Sequence, residues 1–146
     1  MDYSSIFAIS AAGMSLERTR VEVAALNLAN ANTTAAPGQA AYSPLRVVAL
    51  PAQQASFAAL MLAGEPSGSA LKPDFRVEPA PVTPRFVHQP GHPMADTRGF
   101  VGYPGVDTAT EMVSLMAASR AYEANVAALN TARSMALKAL DIGSGS

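Results

Sequence analysis

Two histidines and an aspartate are the residues of this chain whose types and spacing come nearest to chemistry. His88, His92 and Asp96 recur at intervals of four, and zinc sites draw on His, Asp and Glu at short spacings. A helix would set such a series on one face. Gln89, Pro90, Gly91 and Pro93 lie between them, however, and exclude a helix there. A completing ligand would have to come from a distant part of the chain, and nothing marks one. We read the three as turn residues with solvated or hydrogen-bonded imidazoles. A small metal-dependent hydrolase using His88, His92 and Asp96 is the alternative from another functional class. No glycine loop stands between a strand and a helix to cradle phosphate, and no Ser/His/Asp set has a local signature. The chain has no cysteine, hence no thiol nucleophile and no disulfide framework. The expectation is no enzyme, no cofactor and no metal.

Composition narrows the class further. With 146 residues and a net charge of −1, the chain is one domain of ordinary size without the basic footprint of a nucleic-acid binder. No apolar run approaches the length of a membrane span, so no membrane insertion is expected. The N-terminal MDYSSIFAIS has an acid at position 2 and no basic region, unlike a cleaved secretory signal. Cytoplasm or a specialised export route fits that record.

The elements that would position side chains lie at the two ends. Val106 to Leu140 has no glycine or proline and is rich in strong helix formers. Met112, Leu115, Ser119, Tyr122, Val126, Leu129, Arg133, Ala136 and Leu140 alternate in steps of three and four, the pattern of a coiled-coil seam. Asp107 or Thr108 is the expected N-cap, with Glu111 in capping-box position after Thr108 and Gly143 as the stop. Residues 4–31 repeat the alternation through Ile6, Ile9, Gly13, Leu16, Arg20, Val23, Asn27 and Asn30, with Ser4 or Ser5 as cap. Two long seams of similar length predict an antiparallel pair.

Residues 35–105 differ in kind. Nine of the eleven prolines fall between Pro44 and Pro93, a density that permits edge strands but not a large central sheet. Leu45 to Leu50 is the best strand, with weaker ones at 76–78, 84–88 and 99–103. A short helix over 53–62 and a turn over 65–69 are further expectations. The predicted fold is therefore mainly α, in three parts. Residues 1–34 and 106–146 form an antiparallel coiled coil, and residues 35–105 form a small proline-rich β module inserted between them.

Alanine is abundant on the terminal helix off the apolar stripe, at Ala117, Ala118, Ala121, Ala124, Ala127, Ala128, Ala132 and Ala139. A wet rod would show Glu and Lys there. Small side chains instead let other helices approach on several sides. The paired helices have few large apolar side chains to offset the entropy of ordering them. They are thus expected to be loose in the free monomer and to order when neighbouring subunits cover them.

Particular residues then match a known pattern. Leu26-Asn27-Leu28-Ala29-Asn30-Ala31-Asn32-Thr33 resembles the SNLANxxT signature of bacterial flagellar axial proteins, the rod, hook and hook-filament junction subunits. Tyr42-Ser43-Pro44-Leu45-Arg46-Val47-Val48 is similar to the segment that follows in the rod branch. Gln89 to Asp107 resembles the DPxHPxADxxGYVxxPNVD block of the proximal-rod branch, with Gln89 for the acid and Gly105 for the asparagine. Glu111-Met112, Ala118 to Asn125 and Ser134 to Gly143 resemble the last helix of that branch.

The resemblance implies a structural subunit of the flagellar basal-body proximal rod, with another axial subunit as the alternative. Such proteins pass unfolded through the flagellar type III export apparatus without a cleaved signal, and assemble in the periplasm, where lack of cysteine is no handicap. Their partners are further copies and other rod subunits, and their terminal helices line a tube that transmits torque. The assembly-interface residues expected here are Ile6, Ile9, Leu16, Val23, Met112, Leu115, Tyr122, Val126, Leu129 and Leu140. Asn27 and Asn30 are expected to hold the helix end and its loop.

Overall fold

The computed structural model of the chain describes residues 3–36, 39, 42–50 and 74–144. The elements in order are α1 (Tyr3–Asn30), β1 (Leu45–Leu50), β2 (Asp74–Pro79), β3 (Arg85–His88), β4 (Phe100–Tyr103) and α2 (Thr108–Ser144). The helices match the expected segments within a few residues. α1 begins at Tyr3, ahead of both candidate capping serines, and α2 runs through Gly143 rather than stopping there. The expected helix over 53–62 and turn over 65–69 lie outside the described residues.

Local chemistry accounts for the start of α2. Asp107 is the cap: its Oδ1 accepts the Ala109 N–H at 3.1 Å and its Oδ2 the Thr110 hydroxyl at 2.7 Å. Its backbone carbonyl accepts the Glu111 N–H at 3.0 Å. That places the carboxylate against the donors a helix start leaves unpaired, where the helix dipole also favours negative charge. Glu111 is therefore not half of a capping box, and its carboxylate is free for the longer-range bond described below.

Proline shapes the region between the helices. β1 pairs with β2 and β3 with β4, in two separate two-stranded sheets. The second pair is antiparallel, with Arg85 opposite Tyr103 and His88 opposite Phe100. Ala35 adds a single antiparallel bridge to Gly102. Pro44, Pro79 and Pro84 stand at or beside strand ends, where the missing N–H breaks no ladder.

The described chain gathers into two compact units. One holds α1 up to Arg18 together with α2 from Ala118; the other holds Thr19–Val48 and Val77–Ala117. In the first, Ser10, Glu17, Ala118 and Ala132 are buried. There a β-carbon on Gly13 would meet the Asn125 amide at 3.1 Å, so the Asn125 side chain takes the space a side chain at position 13 would need. In the second, Val23, Ala24, Asn27, Ala31 and Val101 are buried.

The buried stripe is not quite the apolar stripe. On α2 Leu115, Leu129 and Ala136 of that stripe are half-buried, while Tyr122 is exposed. Elsewhere the more buried residue stands one position earlier, Glu111 rather than Met112, Ala118 rather than Ser119 and Ala132 rather than Arg133, while Asn125 and Val126 are both half-buried. On α1 the displacement is one residue later: Ser10 is buried and Ile9 exposed, Glu17 is buried and Leu16 half-buried. Successive helical residues are only about 100° apart, so a three-four alternation defines a stripe no better than one position. The smaller neighbour allows the closer packing. Ala118 and Ala132, expected off the seam, are thus among the most buried residues described, whereas Ala117, Ala124, Ala127, Ala128 and Ala139 are exposed.

The cap yields a pH prediction. The Thr110 hydroxyl, and then the Ala109 amide, hold the Asp107 carboxyl below its ordinary pKa. A lowered folded pKa stabilises the fold above the ordinary carboxylate range, and this contribution is lost as pH falls through the lowered value. Asp107→Ala should lower the melting temperature at pH 7, Asp107→Asn much less. The gap between wild type and Asp107→Ala should narrow in acid, as thermal melts followed by circular dichroism at neutral and low pH would measure.

Candidate functional site

The buried polar centre of the second unit is Asn27, 1 % exposed near the end of α1. Its Oδ1 accepts the Leu45 N–H at 2.8 Å, and its Nδ2 donates to the Leu45 carbonyl at 2.8 Å. One side-chain amide thus satisfies both backbone groups of the first residue of β1, as a neighbouring strand would. The second lone pair of Oδ1 takes the Tyr42 hydroxyl at 2.9 Å. The second Nδ2 proton goes to Glu111 Oε1 at 3.2 Å. An Asn amide has two donors and two acceptor sites, and here all four are used. Burial, and then the nearby Glu111 charge, raise the pKa of Tyr42, keeping its hydroxyl a donor.

The turn after α1 uses the next asparagine. Asn30 Nδ2 bonds back to the Leu26 carbonyl at 2.8 Å, and the Asn30 carbonyl accepts both the N–H and the hydroxyl of Thr33. Sequence reasoning placed both asparagines at the helix end. It missed Tyr42, Leu45 and Glu111 as partners of Asn27. The signal is the Tyr42-to-Val48 block that follows the LANxxT run, but no local spacing points to Glu111, 84 positions away.

The His88, His92 and Asp96 series forms a hairpin loop between β3 and β4. Asp96 Oδ1 accepts the N–H groups of Arg98 at 2.9 Å and Phe100 at 2.8 Å, and its own N–H donates to the Phe100 carbonyl at 2.8 Å. Those bonds, led by the one from Phe100 and helped by the Arg98 charge, hold the Asp96 carboxyl below its usual range. Arg98 Nε lies 3.5 Å from Asp96 Oδ2. His92 Nδ1 accepts the Met94 N–H at 3.1 Å, and His88 meets the Phe100 ring edge-on with centroids 5.1 Å apart. Gly99 closes the loop at φ +80°, a conformation that favours glycine. Among the described residues, no three His, Asp or Glu side chains come together as a ligand set.

A shallow cleft of about 550 Å³ opens where α1 ends and α2 begins, lined by Ala31, Asn32, Arg85, Asp107 and their neighbours. Its carboxylate is the helix cap, and its guanidinium stacks 5.5 Å from the centre of the Tyr103 ring. Gly105 on its wall has no room for a side chain, since a β-carbon would run into the Thr83 carbonyl and Val82.

The remaining interface candidates divide by exposure. Val23 is buried, while Leu16, Leu115, Val126 and Leu129 are half-buried. Ile6, Ile9, Met112, Tyr122 and Leu140 are exposed, Leu140 by 70 %. Met116, Met135 and Ile142 on α2 are exposed as well, although sequence reasoning did not select them.

Removing the central amide tests how much rests on it. Asn27→Ala should cost about 2–3 kcal/mol, the scale of stranding buried backbone partners. Asn27→Asp should cost more, because its carboxylate would face the Leu45 carbonyl and Glu111. Adding Glu111→Gln to Asn27→Asp should recover part of the loss, because the amide so introduced can donate where the glutamate could only accept. Denaturant melts of the three variants give these numbers.

The comparisons with known proteins agree on one family. A family model described as Flagellar basal body rod FlgEFG protein C-terminal matches residues 97–142. The chain is 38 % identical to the flagellar basal-body rod protein FlgC of Yersinia enterocolitica, over 98 % of this chain and 99 % of the relative. It is 37 % identical to the Salmonella typhimurium protein of that name, over 95 % of this chain and 96 % of the relative. The Bacillus subtilis counterpart is 35 % identical, over 92 % of this chain and 94 % of the relative. On this similarity, which runs nearly end to end, the chain belongs to the FlgC family of flagellar basal-body rod proteins.

Proposed function

We propose that the chain works by assembly alone, as a structural subunit of the flagellar basal-body rod that packs helically with further copies and with other rod subunits. One observation carries this reading: small side chains are inside and large apolar ones outside. The buried apolar residues described are Val23, Ala24, Ala31, Val101, Ala118 and Ala132, while Met112, Val113, Met116, Met135, Leu137, Leu140 and Ile142 are each more than half exposed. A monomer that stayed alone in water would not display so much apolar surface along one helix. Neighbouring subunits are the natural cover, and a contact between two different surfaces repeats as an open helix.

Within the subunit, α1 and α2 form an antiparallel coiled coil, made of residues 1–34 and 106–146 with 35–105 inserted between. Two contacts support the pairing. Asn27 meets Glu111 in one compact unit, and Gly13 meets Asn125 in the other. Leu16, Val23, Leu115, Val126 and Leu129 lie along the pair, Tyr122, 40 % exposed, stands at its edge, and Ile6, Ile9, Met112 and Leu140 face adjoining subunits. Asn27 and Asn30 hold the turn that leads out of α1. Torque then passes through many parallel helix contacts in the periplasmic rod, without catalysis. The chain reaches it through the flagellar type III export apparatus. No described helix is long and apolar enough to cross a membrane.

Charges placed on the outer face separate assembly from folding. Met112→Asp and Leu140→Asp alter exposed side chains and should leave the melting of the purified chain within about 0.5 kcal/mol of wild type. In cells whose own rod protein is replaced, the same variants should abolish motility and isolable rods. Motile cells with normal rods would overturn the reading.

A further inference from the structure

We infer that the buried Asn27, through its bond to Glu111, chooses the register in which α1 and α2 pair, a choice the apolar residues leave open. The inference rests on the antiparallel pairing proposed above. From Gly13 to Asn27 α1 advances fourteen residues, and from Glu111 to Asn125 α2 spans fourteen in the opposite sense. Both contacts therefore belong to one antiparallel register, two heptads apart on each helix.

An apolar pattern of three and four repeats every seven residues, so it is equally content when one helix slides by a heptad. In the register of the two contacts Leu16 stands level with Tyr122, and Val23 with Leu115. Slid by seven, Leu16 stands level with Leu129, and Val23 with Tyr122. The apolar side chains matched are of similar size in both. The polar residues are not indifferent. In the slid register Asn27 stands level with Ala118, which offers its amide nothing, and Asn125 loses the space above Gly13 and stands level with Arg20. Sliding the other way puts Asn27 level with Pro104, before α2 begins. Of these three registers only the first gives Asn27 its fourth hydrogen bond. A buried amide left unpaired is costly, and a single buried asparagine specifying register is an established use of such residues.

The chain lacks cysteine, so engineered disulfides report register without background. Ala24→Cys with Ser114→Cys spans the observed register, and Ala24→Cys with Ala121→Cys spans the slid one, each made in the full-length purified chain. With Asn27 present, mild oxidation should close the first pair and leave the second almost open. In Asn27→Leu, the yield of the second pair should rise roughly tenfold or more, the factor one unpaired buried amide supplies. Glu111→Ala keeps the Asn27 bonds to Leu45 and Tyr42 and should give a smaller rise in the same product. It therefore decides the matter if Asn27→Leu does not fold. If both variants still close only the first pair, the register inference is wrong while the pairing stands. If neither pair closes with Asn27 present, the antiparallel pairing itself is wrong and the inference falls with it.

Discussion

A primary amide taken out of water has four hydrogen-bonding sites to satisfy, and very few surroundings can satisfy all of them. Asn27 is in that position. Its bonds to both backbone groups of Leu45 hold the start of β1 at the end of α1, and its bonds to Tyr42 and Glu111 draw in that tyrosine and the first turn of α2. The direction of the chain after α1 follows from this more than from any apolar contact. The residues buried near it, Ala24, Ala31 and Val101, are small and tolerant of position. Hydrogen bonds have direction where hydrophobic contacts have none, and a unit with so modest an apolar core depends on the directional term to be unique.

The same economy explains the helices. Alanine, glycine and serine on the buried stripe offer little apolar area, and the large apolar residues that would make a self-sufficient core stand on the outside. For an isolated enzyme this distribution would be a defect. For a rod subunit the proposed assembly would divide the work: internal contacts shape the subunit, and the larger apolar surface is left for contacts between subunits.

The loop from Gln89 to Gly99 shows how residue type alone misleads. His88, His92 and Asp96 have the chemistry of metal ligands, yet the contacts they make are those of a loop: an edge-on ring contact, an acceptor for the Met94 N–H, and a carboxylate closing two turns. The interleaved prolines and glycine already argued for a turn. The role of Asp96 as its clasp was not legible, because it depends on the N–H of Phe100, and the pairing of Phe100 with His88 brings that group within reach.

By itself the sequence determined what is local: both long helices, four strands and the turn after α1. Helix propensity, the absence of proline from the ends and its density in the middle act over a few residues at a time, so they are written in the order of the residues. It also carried the family, through motifs at both ends. Only the tertiary structure decided which edge of each apolar stripe is buried, that Glu111 bonds to Asn27 instead of capping its own helix, and that Ala118 lies inside while Ala117 lies outside. Those choices turn on shape and unpaired hydrogen bonds between residues as many as 84 positions apart. A helical alternation fixes a face only to within one residue, so it takes contact with another part of the chain to settle which neighbour goes in.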